Sequence, residues 1–598
     1  MLFKEKKLLE KGAVLKFEKF LNGEPTTMGA FKEGEALTLR LTLSRKLGIV
    51  SPQLSLCRDG KEKFYINFEF KEFKLGIDTY ELNLKLEKGL WFYELVLNSL
   101  ISKSINNLDF ELKEQSENPF TLLIYAKEFS TPDFLKGSVM YHIFVDRFFK
   151  GKGEVTLHGR LIEDWDSIPD YQKKVGDSLP NDNFYGGNLW GIIEKLDFLK
   201  TLSVNVIYLS PIFSSPSNHR YDTSDYEEVD SILGGNKALY ALIEEAHKRK
   251  IKIILDGVFN HTGSDSRYFN KAGNFDTIGA YQSKNSPYHN WYNFYNFPDE
   301  YEAWWGIKIL PRLNHSYKPC FNYFTETVLK KWLDIGIDGW RLDVADELSN
   351  GFLKAVRKST KECGDKAIIG EVWENAVTKS AYGERKEYFW GEELDSVMNY
   401  PLRTAILDLL IKRNTNLFYN TVTELYTSYP KAVVHSLMNI LSTHDTERII
   451  TLLGDNGKSE NKDNDTLATL TLSEYEKKNA IKLMKIATVI QYTLFGFPSL
   501  YYGDERGLEG YHDPFCRRGY PWTEESELIE HYEFLGKVRM NHPSLKDGDF
   551  EFIYVDENSL AYRRKNKEDR IDVYVNLSKE KKKILKKEIE GESAKIFE

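Results

Sequence analysis

The chain has 598 residues, of which 41% are hydrophobic and 29% charged, and its formal net charge at pH 7 is -9. This composition excludes a wholly disordered, collagen-like or coiled-coil protein, and the length predicts about three to five domains, or fewer if one is a large barrel. Because no basic field covers the chain, we expect neither nucleic acid nor an anionic membrane as a partner.

Residues 1–125 consist of short runs in which apolar and polar residues alternate, a pattern typical of half-buried β-strands. The clearest runs are KFYINFEF at 63–70, TYELNLKL at 79–86 and LWFYELVL at 90–97. Glycines and short polar clusters separate these runs. We therefore predict an N-terminal β-sandwich whose aromatic residues lie in its core.

Between residues 126 and 525, short apolar runs alternate with helical patterns. Eight such runs are present, and eight parallel strands alternating with helices predict an α/β fold of the (β/α)8 barrel type. The long connection 262–320 after the third run predicts an inserted domain, and residues 526–598 predict a C-terminal β-sandwich domain. The eight runs cover residues 139–145, 204–210, 251–258, 337–344, 366–372, 394–400, 437–445 and 497–505.

We expect neither a targeting signal nor a membrane segment in this sequence. The first residues lack the apolar stretch of a signal peptide, and the longest uncharged run, 486–503, contains Gln491 and Pro498, so we interpret it as a buried helix followed by a strand. The cysteines are scattered and form no C-x-x-C pair, which favours a reducing, cytoplasmic environment. They are Cys57, Cys320, Cys363 and Cys516.

Charged and polar residues follow several of the predicted barrel strands. Active sites of such barrels lie at the C-terminal ends of the strands, and like charges gathered there lower stability unless function requires them. Any single acid at such a position is as readily a helix N-cap, whereas the whole set indicates a site. The set comprises Asp256, Asn260, His261, Arg341, Asp343, Glu371, His444, Asp445, Asp504 and Glu505.

Carboxylates beside an arginine and two histidines suggest glycoside chemistry. One carboxylate attacks the anomeric carbon and a second, protonated one donates to the leaving oxygen. Arg341 lies two residues before Asp343 and therefore on the same face of the strand. We expect its guanidinium to keep Asp343 ionised and to lower the pKa of that carboxyl.

Four segments resemble the core motifs of the α-amylase family, glycoside hydrolase family 13, in order and position. They are DGVFNH at 256–261, GWRLDVADE at 339–347, GEVWENA at 370–376 and LSTHDTE at 441–447. In addition, YHIFVDRF at 141–148 resembles the first-strand motif of the family. LPRLN at 310–314 resembles a motif of its neopullulanase, cyclomaltodextrinase and maltogenic amylase branch, which the N-terminal domain, of the carbohydrate-binding kind, also fits.

The resemblance implies a double displacement that retains the α-configuration. Asp343 matches the nucleophile, Glu371 the general acid/base, and Asp445 the third carboxylate, which binds sugar hydroxyls. Asp256 and Asn260 match structural residues at the barrel rim. The positions matching substrate-binding residues are Tyr221, His261, Arg341, Trp373, His444, Asp513 and Arg517. Aromatic residues of the insert predict further contacts to a glucan, and they include Tyr288, Trp291, Tyr292, Trp304 and Trp305.

The chain departs from the family pattern at two kinds of position. Glu374 stands where the branch often has His, and Asp346 where it often has Asn, which leaves the balance of hydrolysis and transfer open. Asn188 and Asn314 stand where relatives carry calcium-binding aspartates. We therefore predict no metal site and no required cofactor, with the polar loop 454–465 as the remaining source of oxygens for calcium.

The leading hypothesis is a hydrolase of α-1,4-glucosidic bonds in maltodextrins, cyclodextrins or pullulan. An α-glucosidase, an α-1,6-debranching enzyme and a glucanotransferase of the same family are the alternatives. A non-catalytic glucan-binding scaffold is disfavoured because all three family carboxylates are present. The expected partners are α-glucan oligosaccharides and, by the resemblance, a second copy of the chain docked through the N-terminal domain.

Overall fold

The computed structural model describes residues 13–115, 117–174 and 181–598. Residues 1–12 of the predicted N-terminal domain therefore lie outside the described part of the chain. Within that part, three regions follow one another: two packed, mainly antiparallel sheets, a closed parallel barrel, and a small antiparallel sheet.

The N-terminal region is the predicted β-sandwich. Leu37–Ser44 shows why it forms, because its leucines alternate with polar residues and are buried on one face. These leucines pack against those of the second sheet. The first sheet has the order Glu24–Thr26, Leu15–Leu21, Leu37–Ser44, Ile77–Leu84 and Glu69–Lys74. The second contains Phe110–Lys113, Leu100–Ser104, Gly89–Leu97, Phe120–Tyr125 and Ala30–Lys32, with Gln53–Arg58 and Phe64–Asn67 at its side.

Of the aromatic residues in the run KFYINFEF, Phe68 alone lies in the core as predicted. The run forms two edge strands, and Phe64, Tyr65 and Phe70 are exposed while Phe68 is buried. Alternation identified the strands correctly. It does not reveal whether a sheet edge has a neighbour to cover it, and here the two edges have none among the described residues.

The predicted barrel is confirmed. Its eight parallel strands, here β1 to β8, have the order β6-β5-β4-β3-β2-β1-β8-β7, and a parallel bridge between Met398 and Met438 joins the two ends. Every strand is short and buried on both faces, as expected for a barrel enclosed by helices. The strands are Met140–Ile143, Val206–Leu209, Lys252–Gly257, Gly339–Leu342, Ala367–Gly370, Ser396–Val397, Met438–Ile440 and Phe497–Tyr501.

Helices connect most of the strands, although residues 371–395, between β5 and β6, contain no α-helix and instead form a small hairpin, Ser380–Ala381 with Glu384–Arg385. The uncharged run 486–503 is a helix end followed by β8, as predicted, and no helix of the described residues is long and apolar enough to cross a membrane. The α-helices of at least six residues are Leu189–Thr201, Gly235–Lys248, Leu329–Asp334, Asn350–Glu362, Tyr400–Ile411, Thr415–Ser428, Ile449–Gly454, Asn464–Thr469, Glu474–Thr493 and Glu527–Asn541, and the short ones are Lys318–Asn322, Lys431–Val434 and Ser544–Asp547.

The insert after β3 has an aromatic core of its own. Trp291 stacks on Tyr268 with ring centroids 5.4 Å apart, and Tyr292 packs on Phe269 at 4.8 Å. Both Trp291 and Tyr292 are buried, so the prediction that they line a glucan path is wrong. Composition alone does not distinguish such packing from an exposed face, since both use the same rings.

The C-terminal region is a four-stranded antiparallel sheet with an added hairpin, and it confirms the strands predicted there. The sheet begins at Asp549, after the helix Glu527–Asn541, whose Arg539 donates to carbonyl oxygens of the barrel. The sheet strands are Asp549–Val555, Ser559–Lys565, Arg570–Asn576 and Ser593–Phe597, and the hairpin is Lys582–Ile584 with Lys587–Ile589.

Candidate active site

Three carboxylates surround one guanidinium at the C-terminal ends of β3, β4 and β5. Arg341 Nη1 lies 3.1 Å from both oxygens of Asp256 and donates to Asp343 Oδ1 at 2.9 Å, while Nη2 lies 2.9 Å from Glu371 Oε2. Adjacent parallel strands bring these ends together, because β3, β4 and β5 are consecutive in the barrel. All four side chains are buried.

The charge balance of this cluster sets the pKa of Asp343. Burial raises that pKa well above the usual value, Glu371 and Asp256 raise it further, and Arg341 lowers it. The predicted contact between Arg341 and Asp343 exists and lowers the pKa of Asp343 as expected, but burial and the two neighbouring carboxyls outweigh it, so that Asp343 is not held ionised by Arg341 alone. One guanidinium is shared by three carboxylates, so it offsets only part of the cost of burying them.

Glu371 is held at the rim by two donors besides the ion pair with Arg341. The backbone N–H of Val344 donates to its Oε2 at 2.8 Å, and Trp373 Nε1 donates to Oε1 at 3.0 Å. Trp373 stacks on Tyr400 with ring centroids 3.7 Å apart and is 46% exposed. The indole therefore fixes the carboxyl while leaving one face open to a ligand.

Asp445 and His444, at the end of β7, adjoin the cluster. His444 Nε2 lies 3.0 Å from Asp445 Oδ2 and also bonds the hydroxyl of Tyr221, which donates to Asp256 Oδ2 at 3.2 Å. Burial alone would raise the pKa of Asp445, but His444, Arg517 and Arg341 together bring it below its usual value. Asp445 is therefore ionised beside the cluster at neutral pH.

His261 presents an unused donor to the site. Asn260 Nδ2 donates to its Nδ1 at 3.3 Å, and its buried Nε2 has no hydrogen-bond partner among the described residues. Burial lowers the pKa of His261 to about 4, so the ring is neutral at pH 7. A neutral ring that accepts at Nδ1 carries its proton at Nε2, which leaves a donor for a sugar hydroxyl.

Arg517 connects the loop after β8 to this group. Its Nε donates to the carbonyl oxygen of His444 at 2.8 Å, Nη2 to Asp445 Oδ1 at 3.3 Å, and Nη1 lies 2.9 Å from Asp513 Oδ1. The structure thus brings all twelve predicted site residues to one rim. Asp513 and Arg517 lie on the β8 side, opposite β4 in the ring of eight strands.

Two of the predicted rim acids are not part of the cluster. Asp504 is paired with Arg448 at 3.0 Å, and Glu505 accepts from the hydroxyls of Tyr141 at 2.6 Å and Tyr520 at 2.7 Å. Both carboxyls are buried and take part in packing the β8 loop. Their position at a strand end resembles that of the predicted catalytic acids, and only their partners distinguish them.

The sequence reasoning missed three aromatic residues at the same strand ends. Tyr208 donates to Asp256 Oδ2 at 2.5 Å, and His142 stacks on Tyr208 at 4.3 Å. Tyr400 supports Trp373 from the end of β6. Their signal was available, since each lies in one of the eight runs and carries a polar group on its ring.

Asp346 and Glu374, which depart from the family pattern, share one partner. Lys379 Nζ lies 2.9 Å from Asp346 Oδ2 and also pairs with Glu374. Asn188 and Asn314, at the calcium positions of relatives, accept backbone N–H groups of Gly191 at 2.9 Å and Ser316 at 3.1 Å. Within residues 13–115, 117–174 and 181–598, no group of three or more His, Cys, Asp or Glu side chains is arranged to hold a metal ion.

The raised pKa of Asp343 predicts where activity falls with pH. A nucleophile must be ionised, so kcat/KM falls as the pH drops through its pKa. We expect the acid limb clearly above pH 4, the ordinary value being roughly 3.9. The pH profile of kcat/KM measures it, and Glu371→Gln, assayed on an activated glycosyl fluoride, should move the limb to lower pH. An acid limb at or below pH 4 contradicts this prediction.

Comparison with known proteins extends the resemblance. The pattern described as "Alpha amylase, catalytic domain" matches residues 142–532. A cyclomaltodextrinase of Thermoanaerobacter pseudethanolicus is 34% identical, over 86% of this chain and 84% of its own. An amylopullulanase of Thermoanaerobacter thermohydrosulfuricus is also 34% identical, over 90% of this chain, which spans only 39% of that longer protein.

Among solved structures, a similar one is the cyclic alpha-maltosyl-(1→6)-maltose hydrolase of Arthrobacter globiformis in complex with cyclic alpha-maltosyl-(1→6)-maltose. The TM-score is 0.67 at 27% identity, and the likeness covers 78% of this chain and 99% of that one. Sequence and architecture therefore point to the same group of proteins.

Proposed function

The chain belongs to the α-amylase family, and from that premise we propose that it hydrolyses α-1,4-glucosidic bonds of maltodextrins, cyclodextrins and pullulan with retention of the α-configuration. The observation that carries the proposal is the complete set Asp343, Glu371 and Asp445 at one rim, with the first two gathered on Arg341. A scaffold that had lost catalysis would be free to lose one of these groups.

The proposed reaction has two displacements. Asp343 attacks the anomeric carbon while Glu371 gives its proton to the glycosidic oxygen, so that the bond to the leaving sugar breaks as the bond to Asp343 forms. Glu371 then takes a proton from water, the water oxygen attacks the same carbon, and the bond to Asp343 breaks. The first step requires Asp343 in its ionised form and a proton on the Glu371 carboxyl.

The neighbouring groups support binding of the sugar at the cleaved bond. Asp445 is ionised and offers two acceptors, whereas His261 Nε2 offers a donor. Tyr221 and Trp373 offer ring faces from two separate parts of the rim, on the loop after β2 and at the end of β5. Asp513 and Arg517 extend the polar surface on the β8 side.

Cleavage of α-1,6 bonds is the second candidate. It is favoured by the 34% identity with an amylopullulanase and by the likeness to a hydrolase whose substrate contains an α-(1→6) bond. The chain also differs from the family branch on the proposed leaving-group side, where Lys379 pairs with both Asp346 and Glu374. α-Glucosidase and glucanotransferase activities remain alternatives of the same site.

Product analysis tests the proposal and separates the candidates. We expect linear maltodextrins from β-cyclodextrin and panose from pullulan, with products of α-configuration appearing first by NMR. Maltotriose from pullulan would assign α-1,6 cleavage instead. First products of β-configuration, or no release of sugar from β-cyclodextrin, pullulan and starch, would refute the proposed reaction. The same assays with Asp343→Asn measure any activity that comes from contaminating enzymes.

We also propose that the protein is a cytoplasmic homodimer and that it requires no cofactor. Exposed Phe64, Tyr65 and Phe70 on the N-terminal edge strands favour a homodimer through that domain, because they leave an apolar surface open to a second copy. The four unpaired cysteines favour the cytoplasm. Catalysis without a required cofactor is supported by the backbone bonds that occupy Asn188 and Asn314.

A further inference from the structure

Two exposed aromatic side chains from separate loops meet at one carboxylate oxygen beside the active site. Trp305, in the insert after β3, donates its Nε1–H to Glu347 Oε1 at 3.2 Å, and Tyr382, in the hairpin between β5 and β6, donates its hydroxyl to the same oxygen. Trp305 is 76% exposed and Tyr382 69%. Their polar ends are fixed while their ring faces lie open to solvent.

The carboxylate that holds them is paired with the guanidinium of Arg312. Glu347 is nearly buried, and Arg312 Nη2 lies 3.7 Å from its Oε2 and donates to its backbone oxygen at 3.3 Å. The Arg312 guanidinium also lies 5.6 Å from the centroid of the Tyr382 ring. With its charge paired and one oxygen taken by two donors, Glu347 is suited to positioning the rings, not to binding an ion.

A stack of rings connects these side chains to the catalytic residues. Trp305 stacks on Trp304 with centroids 5.0 Å apart, and Trp304 stacks on His261 at 5.5 Å. Glu347 follows the predicted nucleophile Asp343 by four residues, on the loop after β4. The exposed pair is therefore continuous with the site and lies on the β3, β4 and β5 side, opposite Asp513 and Arg517.

The backbone at Trp305 adds an independent observation. Its φ of 49° is in the left-handed region, which is costly for a large side chain and persists where the surroundings require it. Glycine follows, so an ordinary loop would place the left-handed residue at Gly306 alone. With this backbone conformation the indole of Trp305 faces solvent, although the hydrophobic effect favours burying it.

We propose that Trp305 and Tyr382 form a platform for a glucose unit on the leaving-group side, farther from the cleaved bond than Trp373. Trp373 contacts Glu371 directly, whereas the platform reaches the catalytic groups only indirectly, through Glu347 and through Trp304. Exposed aromatic rings with fixed polar ends suit the apolar face of a pyranose. This inference rests on the proposed function for the kind of ligand.

The first test is binding to an inactive chain, so that catalysis does not enter. Calorimetry with maltohexaose uses Asp343→Asn as the background, to which Trp305→Ala or Tyr382→Ala is added. Each is expected to raise the Kd about 3- to 10-fold, the effect of one aromatic contact. Tyr240→Ala, on the outer face of the helix Gly235–Lys248, removes an exposed ring elsewhere and should leave the Kd unchanged.

Tyr382→Phe tests whether Tyr382 contacts the sugar or only holds the two loops together through its hydroxyl. The variant keeps the ring and loses the hydrogen bond to Glu347. If the ring contacts the sugar, most of the affinity is retained; if only the hydrogen bond matters, the loss equals that of Tyr382→Ala. Unchanged Kd values in both alanine variants, or equal losses for phenylalanine and alanine, would overturn the proposal. Thermal unfolding of each variant shows whether it is folded, and the phenylalanine variant keeps the test valid if an alanine variant is not.

The second test uses the active chain. Loss of the platform should shift cleavage of reducing-end-labelled maltohexaose toward shorter leaving fragments, with kcat/KM on maltotriose changed less than twofold. An unaltered cleavage pattern contradicts the platform. If the wild-type chain does not cleave maltohexaose but the inactive variants lose affinity as expected, the proposed function fails and the platform stands.

Discussion

Replacing Asp343 with asparagine is expected to lower kcat on maltodextrins by about 10⁴-fold or more, the order of loss seen when a covalent nucleophile is removed. An amide does not attack the anomeric carbon, so the first displacement stops. Its shape and its place 2.9 Å from Arg341 Nη1 suit the same position, so the fold should survive. Steady-state kinetics and thermal unfolding measure the two effects.

The stability of this variant tests the charge balance of the cluster. Asp343 is one of three buried carboxyls on one guanidinium, and burial raises its pKa. Since the folded state holds a proton there that the unfolded state releases above about pH 4, ionisation destabilises the fold as pH rises. Asp343→Asn removes that cost, so its stability should equal or exceed wild type at pH 8.

Asp346→Asn is the matched control. Asp346 lies three residues later, where it pairs with Lys379 and accepts from Tyr388 at 2.6 Å, away from Arg341. We expect less than a tenfold change in kcat. Activity of Asp343→Asn within tenfold of wild type would reject Asp343 as the nucleophile, and so would equal losses in the two variants.

The barrel and its carboxylates were predictable because both depend on local patterns. The spacing of apolar residues along the chain indicates strands and helices, and β3, β4 and β5 are neighbours in sequence as well as in the sheet. Residues at the ends of these strands therefore lie close together, independently of the conformation of the loops. Asp256, Asp343 and Glu371 follow directly from that rule.

What was mispredicted depends on contacts between distant segments. Trp291 and Trp305 have the same side chain and lie in the same insert, yet one is buried on Tyr268 and the other is exposed at Glu347. The direction in which the pKa of Asp343 shifts depends likewise on how many carboxyls share Arg341 and on how completely the site is buried. Neither burial nor the sharing of a partner is encoded in a short motif.

Replacing Arg341 with methionine should produce the largest loss of stability. The side chain is buried, and its removal leaves the carboxyls of Asp256, Asp343 and Glu371 together without a cation. Breaking a buried ion pair from one side costs about 3–5 kcal/mol. Urea unfolding at pH 7 measures the loss, and Arg249→Met, which removes a guanidinium paired with Asp197 and Glu245 at the surface, should lose much less.

The pH dependence separates lost packing from lost charge in Arg341→Met. Without the guanidinium the three carboxyls keep their protons to higher pH, so the deficit in unfolding free energy should shrink as the pH falls from 8 to 5. Asp256→Asn added to Arg341→Met removes one of the uncompensated carboxyls and should recover part of the stability. It should not recover kcat, because Asp343 and Glu371 still lack the cation between them. A deficit that is independent of pH, or a double variant no more stable than Arg341→Met, would mean that Arg341 acts by filling space and not by its charge.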